Sequence, residues 1–242
     1  DCVVIDCEDG VALNRKEEAR NNIRNLYDSD ERVQNDPERK YAVRINPALT
    51  DLAVSDIETI FTPKKTIKNP DNLFPKCVFV PKTNHPDEIK WLYEKINNKL
   101  KNYQHRLNFF FYMETATSLI NLNDIIKTAL AETNEKYKNR FHLDGFVFGS
   151  DDFCADIAVT RTKEGDELLY ARQKLVAYCK AYKLKVIDMV HIDFKDLDGL
   201  RVQSQKGAGM GFTGKQVIHP AQVDVVQEAF SPSKEKIEWA VG

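Results

Sequence analysis

Two acidic residues occupy positions suited to chemistry, Glu114 in Met-Glu-Thr and Asp152 in Gly-Ser-Asp-Asp. Each follows a short, fully apolar run that predicts a buried strand, and successive parallel strands end at the same edge of a sheet. Two carboxylates brought together repel each other unless they share a proton or a hard cation. A Mg²⁺ site is one interpretation, and no His or Cys stands beside them to favour zinc. The other interpretation is a pair of carboxylates bonded to Arg or to backbone N–H groups.

Arg44 ends another apolar run, in Arg-Ile-Asn-Pro. A guanidinium in a site needs an anion, which is either a substrate carboxylate or one of the neighbouring acids Asp6, Glu8 and Asp9. We interpret Glu8 and Asp9 as supporting acceptors, although a general base or a plain turn remains open. Lys82 could pair with them or with a substrate, although a solvated or structural lysine is the more common case.

His219 precedes Pro220 after the last apolar run. A lone His is more often structural, but its position near the same edge keeps it a candidate. The glycine-rich run 206–215 fits neither the dinucleotide-binding pattern nor the P-loop pattern, because a strand is predicted after it rather than a helix. It is interpreted as a flexible connection.

The elements that must position these residues alternate between buried strands and helices. The predicted strands are Cys2–Cys7, Tyr41–Ile45, Cys77–Val80, Leu107–Met113, Gly145–Phe148, Lys185–Ile192 and Gln216–Ile218. Asn14 and Glu17 resemble a capping box that opens the first helix. Because nearly every run ends in polar residues, we favour an α/β fold of the (β/α)₈ TIM-barrel type, in which all strand ends meet at one rim. We expect one domain over residues 1–242, with its opening strand and a C-terminal extension outside the sequence.

The composition excludes several classes of function. Residues are 42% hydrophobic and 30% charged, with a net charge of −2, which gives no general electrostatic reason to bind nucleic acid or an anionic membrane. No apolar run approaches a membrane span in length. Five cysteines without a Cys-x-x-Cys pair argue against a disulfide framework, and we expect all five to be small core residues in a reducing compartment.

Six short motifs occur in register along nearly the whole chain and together resemble one family. They are Asp-Cys-Glu-Asp-Gly-Val (6–11), Val-Arg-Ile-Asn-Pro (43–47), Val-Pro-Lys (80–82), Met-Glu-Thr (113–115), Phe-Gly-Ser-Asp-Asp-Phe (148–153) and Gly-Phe-Thr-Gly-Lys-Gln-Val-Ile-His-Pro (211–220). The sequence resembles the citrate lyase β-subunit/malyl-CoA lyase family of the HpcH/HpaI aldolase superfamily, whose fold is a barrel of the phosphoenolpyruvate/pyruvate superfamily.

This resemblance implies roles for individual residues. Glu114 and Asp152 become the Mg²⁺ ligands, and Arg44 grips the carboxylate of the substrate or of pyruvate. Ile218 and His219 line the substrate position. The resemblance places no catalytic residue within the chain, because the family's proton-handling Asp belongs to a C-terminal extension.

The resemblance also implies a reaction: Mg²⁺-dependent cleavage of citramalyl-CoA to acetyl-CoA and pyruvate, with a malate-forming side activity. The expected partners are an acyl-CoA substrate and pyruvate, in a mitochondrial homotrimer whose leader is not in this sequence. Two alternatives stay open. One is a superfamily aldolase acting on free hydroxy-keto acids, and the other is a non-catalytic subunit that binds CoA esters.

Overall fold

The computed structural model describes residues 2–34, 41–64, 72–232 and 238–239. The chain is divided into two compact units, Asp1–Gly145 and Phe146–Gly242. The seven strands of the described residues belong to one sheet, in which their order follows the order along the chain. Helices between successive parallel strands define the α/β class, so the predicted class is confirmed. Closure into an eight-stranded barrel stays a prediction.

Four parallel strands form the sheet of the first unit. They are β1 (Val3–Asp6), β2 (Tyr41–Arg44), β3 (Cys77–Val80) and β4 (Leu107–Met113). The register pairs Asp6 with Arg44, and Arg44 with Phe79, so these residues lie side by side near the strand ends. Every residue of β3 is buried, as is every residue of β4 except Asn108, which explains their continuous apolar sequences.

Five helices accompany these strands: α1 (Lys16–Ser29), α2 (Glu31–Gln34), α3 (Asp51–Ile60), α4 (Pro86–Lys99) and α5 (Ala116–Ala131). Thr115 caps α5, since its side chain accepts a hydrogen bond from the Ser118 N–H. The capping box predicted on Asn14 and Glu17 is wrong. A 3₁₀ turn over Leu13–Arg15 precedes α1, and the N-cap Arg15 makes no side-chain capping bond.

The second unit contains the end of β5 (Phe141–Phe148), then β6 (Lys185–Asp188) and β7 (Gly214–Lys215). Its helices are α6 (Ser150–Asp156), α7 (Leu169–Ala181), α8 (Leu197–Met210) and α9 (Val223–Phe230). Strands β6 and β7 pair in parallel, with Asp188 opposite Lys215. Leu200 of α8 packs against Val225 and Val226 of α9 in a small core.

Strand β6 ends at Asp188 rather than at the predicted Ile192, and two sequence predictions around β7 are also wrong. The last strand is Gly214–Lys215 rather than Gln216–Ile218, because the sheet pairing ends before the apolar residues begin. The first half of the glycine-rich run is helical rather than a flexible connection, since α8 continues to Met210. Gly207 is needed there because a Cβ would overlap the Asp188 carboxylate.

The cysteines follow the prediction with one exception. Cys7, Cys77, Cys154 and Cys179 are buried free thiols, whereas Cys2 is exposed. Burial raises the pKa of both Cys7 and Cys179 to about 12, which leaves these thiols protonated and unsuited to nucleophilic catalysis. In the part of the chain that the structure describes, no helix is long and apolar enough to cross a membrane.

Candidate active site

Arg44 is the centre of a charged cluster at the strand ends of the first unit. Its Nε donates to Oδ1 of Asp6 over 2.7 Å and its Nη2 donates to Oδ2 over 2.5 Å, which makes a bidentate pair. On the other edge, Nη1 lies 2.9 Å from Oε2 of Glu8. The Arg44 side chain is 19% exposed, so two carboxylates hold the guanidinium while part of it still faces solvent.

The charges in this cluster shift one another's titration. Burial opposes ionisation of Asp6, but the hydrogen bond and charge of Arg44 outweigh it and hold the pKa of Asp6 below its ordinary value. Burial is likewise outweighed at Arg44, where the carboxylates raise the pKa. Burial raises the pKa of Glu8, and Arg44 only partly offsets this. The Asp6–Arg44 pair is therefore ionised throughout the neutral pH range.

The turn after β1 is built on the same carboxylate. Oδ1 of Asp6 accepts from the N–H of Glu8 and Oδ2 accepts from the N–H of Gly10, both over 2.8 Å. A Cβ at residue 10 would stand only 2.7 Å from Oδ2 of Asp6, so glycine is required at this position. The turn and the guanidinium thus share one acceptor, and a change at either one disturbs the other.

Lys82 connects this cluster to Glu114, because its side chain contacts the cluster and its backbone N–H contacts Glu114. Its backbone has a φ of +49°, a left-handed conformation uncommon for residues other than glycine. The Lys82 N–H donates to Oε1 of Glu114 over 2.5 Å. Its Nζ lies 3.1 Å from Oε1 of Glu8 and 3.7 Å from Oδ1 of Asp9. The first unit thus brings together five candidates from the sequence: Glu8, Asp9, Arg44, Lys82 and Glu114.

A buried polar network, which sequence reasoning missed, supports the turn from behind. Lys16 Nζ donates to two backbone carbonyls of the turn, each over 2.8 Å, and to Oδ1 of Asn46 over 2.9 Å. Asn46 donates in turn to Oδ2 of Asp56 over 2.6 Å, and Arg20 donates to Oδ1 of Asp56 over 2.9 Å. The position of Asn46 within Arg-Ile-Asn-Pro was the available signal for it.

Asp152 belongs to the second unit and lies in the first turn of α6, not at a strand end. Strand β5 ends at Phe148, a single residue follows, and α6 begins at Ser150. Asp152 is partly buried. The preceding residue, Asp151, accepts a hydrogen bond at Oδ1 from Nη1 of Arg161 over 2.6 Å. The predicted position differs because strand and helix are joined almost directly.

Ile218 and His219 also lie in the second unit, in the segment between β7 and α9. The Ile218 side chain is exposed, and its N–H donates to Oε1 of Gln222 over 2.9 Å. His219 accepts from the Ala221 N–H at Nδ1 over 3.1 Å, and its ring stacks on Phe194 with the centroids 4.7 Å apart. His219 therefore has a structural capping role together with an exposed ring.

A buried ionic cluster lies at the strand ends of β6 and β7. Arg172 donates to both carboxylate oxygens of Asp188, over 3.0 and 2.7 Å. Nζ of Lys215 donates to the Met189 carbonyl over 2.6 Å and lies 3.6 Å from Asp188. Burial lowers the pKa of Lys215 to about 8, although Asp188 opposes the shift. Because all three charged side chains are buried, this cluster fixes the fold rather than binding a ligand.

The available oxygen donors suit magnesium. Glu114 is 2% exposed, and a backbone N–H orients one of its carboxylate oxygens. Within the described ranges, no three His, Cys, Asp or Glu side chains gather into a group that could hold a metal ion. Mg²⁺ commonly takes one or two protein carboxylates and completes its shell with water and substrate oxygens. The Glu114 carboxylate is an oxygen ligand of this type.

Comparison with known proteins gives consistent results. The family model for HpcH/HpaI aldolase/citrate lyase matches residues 1–220. Mitochondrial citramalyl-CoA lyase of Homo sapiens is 44% identical over 243 residues, which cover 99% of this chain and 67% of the human protein.

Two solved structures share the fold. RipC from Yersinia pestis is 26% identical with a TM-score of 0.74, over 98% of this chain and 92% of that chain. The citrate lyase β subunit of Mycobacterium tuberculosis, complexed with oxaloacetate and magnesium, is 24% identical with a TM-score of 0.70. That match covers 96% of this chain and 87% of the other. At this level of identity, the second similarity supports the fold alone.

Proposed function

This chain belongs to the HpcH/HpaI aldolase/citrate lyase family, and we propose that it is a Mg²⁺-dependent lyase that cleaves citramalyl-CoA to acetyl-CoA and pyruvate. The 44% identity to human citramalyl-CoA lyase over 99% of the chain is the observation that carries the proposal. The charged cluster around Arg44 supports it, because carbon–carbon cleavage of a hydroxyacyl-CoA thioester releases a keto acid whose carboxylate needs a fixed cationic partner.

Glu114 and Asp152 are the residues proposed to hold Mg²⁺. A magnesium complex of the M. tuberculosis relative agrees with this choice of ion. When bound, the ion would supply Lewis acidity toward the hydroxyl and carboxylate oxygens of the substrate. The chain's own contribution is to orient the Glu114 carboxylate through the Lys82 N–H. Holding a carboxylate in place lowers the conformational cost of binding.

Arg44 is proposed to bind the carboxylate that becomes that of pyruvate. Its raised pKa keeps it charged, and the bidentate bonds from Arg44 to Asp6 fix the plane of the guanidinium. A fixed guanidinium holds the keto-acid half while the bond between the hydroxyl-bearing carbon and the acetyl methylene breaks. The hydroxyl proton must leave as the carbonyl of pyruvate forms, and the acetyl-CoA enolate must then gain a proton.

The remaining candidates are proposed to support this site. Glu8 and Asp9 balance the positive charges of Lys82 and Arg44, so that the cluster is not a bare cationic patch. Ile218 and His219 are proposed to face the acyl-CoA, since the Ile218 side chain and the His219 ring are exposed.

Location and assembly are part of the proposal. We propose a mitochondrial enzyme, because the human relative is a mitochondrial protein. We propose a homotrimer from the family resemblance, and we expect size-exclusion chromatography with light scattering to give three times the subunit mass.

The test is to measure pyruvate release from citramalyl-CoA by full-length protein, coupled to lactate dehydrogenase and NADH absorbance. Glu114→Gln and Asp152→Asn should each lower the rate by more than about a hundredfold, because each removes a metal ligand. Asp156→Asn, an exposed acid on the same helix as Asp152, is the matched control and should keep the rate.

The other outcomes distinguish the alternatives. Full activity of Asp152→Asn, or in excess chelator, refutes the metal assignment. Equal turnover of free citramalate identifies an aldolase acting on free acids. Mg²⁺-dependent binding of pyruvate or CoA without turnover identifies a non-catalytic subunit.

A further inference from the structure

Arg161 joins the first turn of α6 to the backbone that follows β6. Its Nη1 donates to Oδ1 of Asp151, and its Nη2 donates to the backbone carbonyl of Val190, each over 2.6 Å. The Arg161 side chain is 14% exposed and the Asp151 side chain is 55% exposed, so the bond to the Val190 carbonyl is the better shielded of the two. One planar guanidinium therefore links two elements that are distant in sequence.

Helix α6 buries Ser150, Phe153 and Cys154, so packing holds its inner face but not its first acidic residue, Asp151, which is exposed. The helix contains seven residues, and its N-cap, Gly149, has no side chain to bond the free N–H groups of the first turn. Asp151 and Asp152 are consecutive residues of that turn. A restraint on the Asp151 carboxylate therefore also restrains the backbone that carries Asp152.

We infer that Arg161 is a positioning residue for the Asp152 carboxylate, and hence for the cation proposed to bind there. This inference rests on the proposed function, in which Asp152 is a Mg²⁺ ligand. A ligand held in place before the ion arrives loses less conformational freedom on binding. Arg161 supplies that restraint through Asp151, the residue next to the proposed ligand.

The direction of the effect distinguishes positioning from simple electrostatics. Arg161 carries a positive charge close to the first turn of α6, and a positive charge repels a divalent cation. If charge alone mattered, neutralising Arg161 would tighten cation binding. If positioning matters, the same change weakens it. The two explanations thus predict opposite results for one variant.

The probe is Mn²⁺, titrated into full-length protein and followed by the electron paramagnetic resonance signal of the free ion. We expect Arg161→Gln to weaken Mn²⁺ binding by about tenfold, as supporting contacts of metal sites typically do. Arg161→Lys should fall between Arg161→Gln and the wild type, because an ammonium group lacks the fork that reaches both acceptors.

The matched control is Lys163→Gln, in the same loop. Nζ of Lys163 lies 2.8 Å from Oδ2 of Asp196, so this variant removes the same charge without altering α6. Its affinity for Mn²⁺ should equal that of the wild type. Circular dichroism and the melting temperature of the metal-free proteins separate loss of positioning from loss of fold.

Unchanged or tighter Mn²⁺ binding by folded Arg161→Gln overturns the inference, provided that Asp152→Asn weakens binding. If Asp152→Asn binds Mn²⁺ like the wild type, the proposed metal site itself fails. Should Arg161→Gln not fold, Arg161→Lys decides, and wild-type affinity in that variant also overturns the inference.

Discussion

Gly207 is a position where helix propensity and packing make opposite predictions. It lies within α8, where alanine is favoured over glycine by roughly 1 kcal/mol. A Cβ at residue 207 would nevertheless stand 3.3 Å from Cγ of Asp188 and would overlap its Oδ2. Asp188 is fully buried, and both of its carboxylate oxygens accept from Arg172. We therefore expect Gly207→Ala to destabilise the protein despite the better helix former.

The size of the destabilisation follows from the interactions that Asp188 would lose. Removing one partner of a buried ion pair costs about 3–5 kcal/mol. Here the carboxylate can rotate away, losing one of its bonds to Arg172 and its 3.6 Å approach to Lys215 while keeping the other bond. That loss is worth about 2–3 kcal/mol. Once the gain of roughly 1 kcal/mol from helix propensity is subtracted, the net destabilisation is about 1–2 kcal/mol.

The assay is urea denaturation followed by circular dichroism, and the same helix supplies the control. A Cβ on Gly209 would have nothing within 4 Å, so Gly209→Ala keeps the propensity gain without the overlap. We expect the urea midpoint to fall for Gly207→Ala and to hold or rise for Gly209→Ala. If both variants rise together, the close packing of α8 on Asp188 does not limit residue 207 and the reasoning is refuted.

Two further predictions concern charged groups. The pKa of Lys215 is lowered from 10.5 to about 8 in the folded protein, so the unfolded chain binds more protons between these values and stability should rise with pH in that window. Lys215→Met should lose this rise in pH-dependent denaturation, and an identical slope in both proteins would contradict the shift. Asp6→Asn should raise the KM for pyruvate about tenfold in the condensation assay, through misorientation of Arg44. Asp87→Asn, which changes an exposed acid, should leave the KM unchanged. An unchanged KM for Asp6→Asn would show that the Asp6 carboxylate does not orient Arg44.

The sequence predicted those elements whose burial is uniform. Strand β3 over Cys77–Val80 and strand β4 over Leu107–Met113 lie where their apolar runs predict them. The same reasoning failed at β7, which consists of Gly214 and Lys215, while the apolar Val217 beyond it is exposed. There, hydrogen bonding to β6 decides the strand, and hydropathy carries no information about that pairing.

The site was predictable as a set of residue types but not as a network. Arg44 was predicted to bind either a substrate or an acidic side chain. Its bonds to Asp6 follow from the β1–β2 register, which can be known only once the strands are paired. Lys16 and Asp56 have no such signal. They contact Asn46 from positions 30 and 10 residues away in the chain, and no sequence period links them. Long-range side-chain hydrogen bonds of this kind emerge only once the elements are packed.

The N–H of Lys82 that donates to Glu114 belongs to the main chain, whereas the ammonium that faces Glu8 and Asp9 belongs to the side chain. A shorter, neutral or acidic side chain without a β-branch alters the local potential around Glu8 and Asp9 and leaves the N–H that donates to Glu114 in place. Proline removes that N–H. Substitution at residue 82 can therefore change the charge near Glu8 and Asp9 while the hydrogen bond that orients Glu114 is kept.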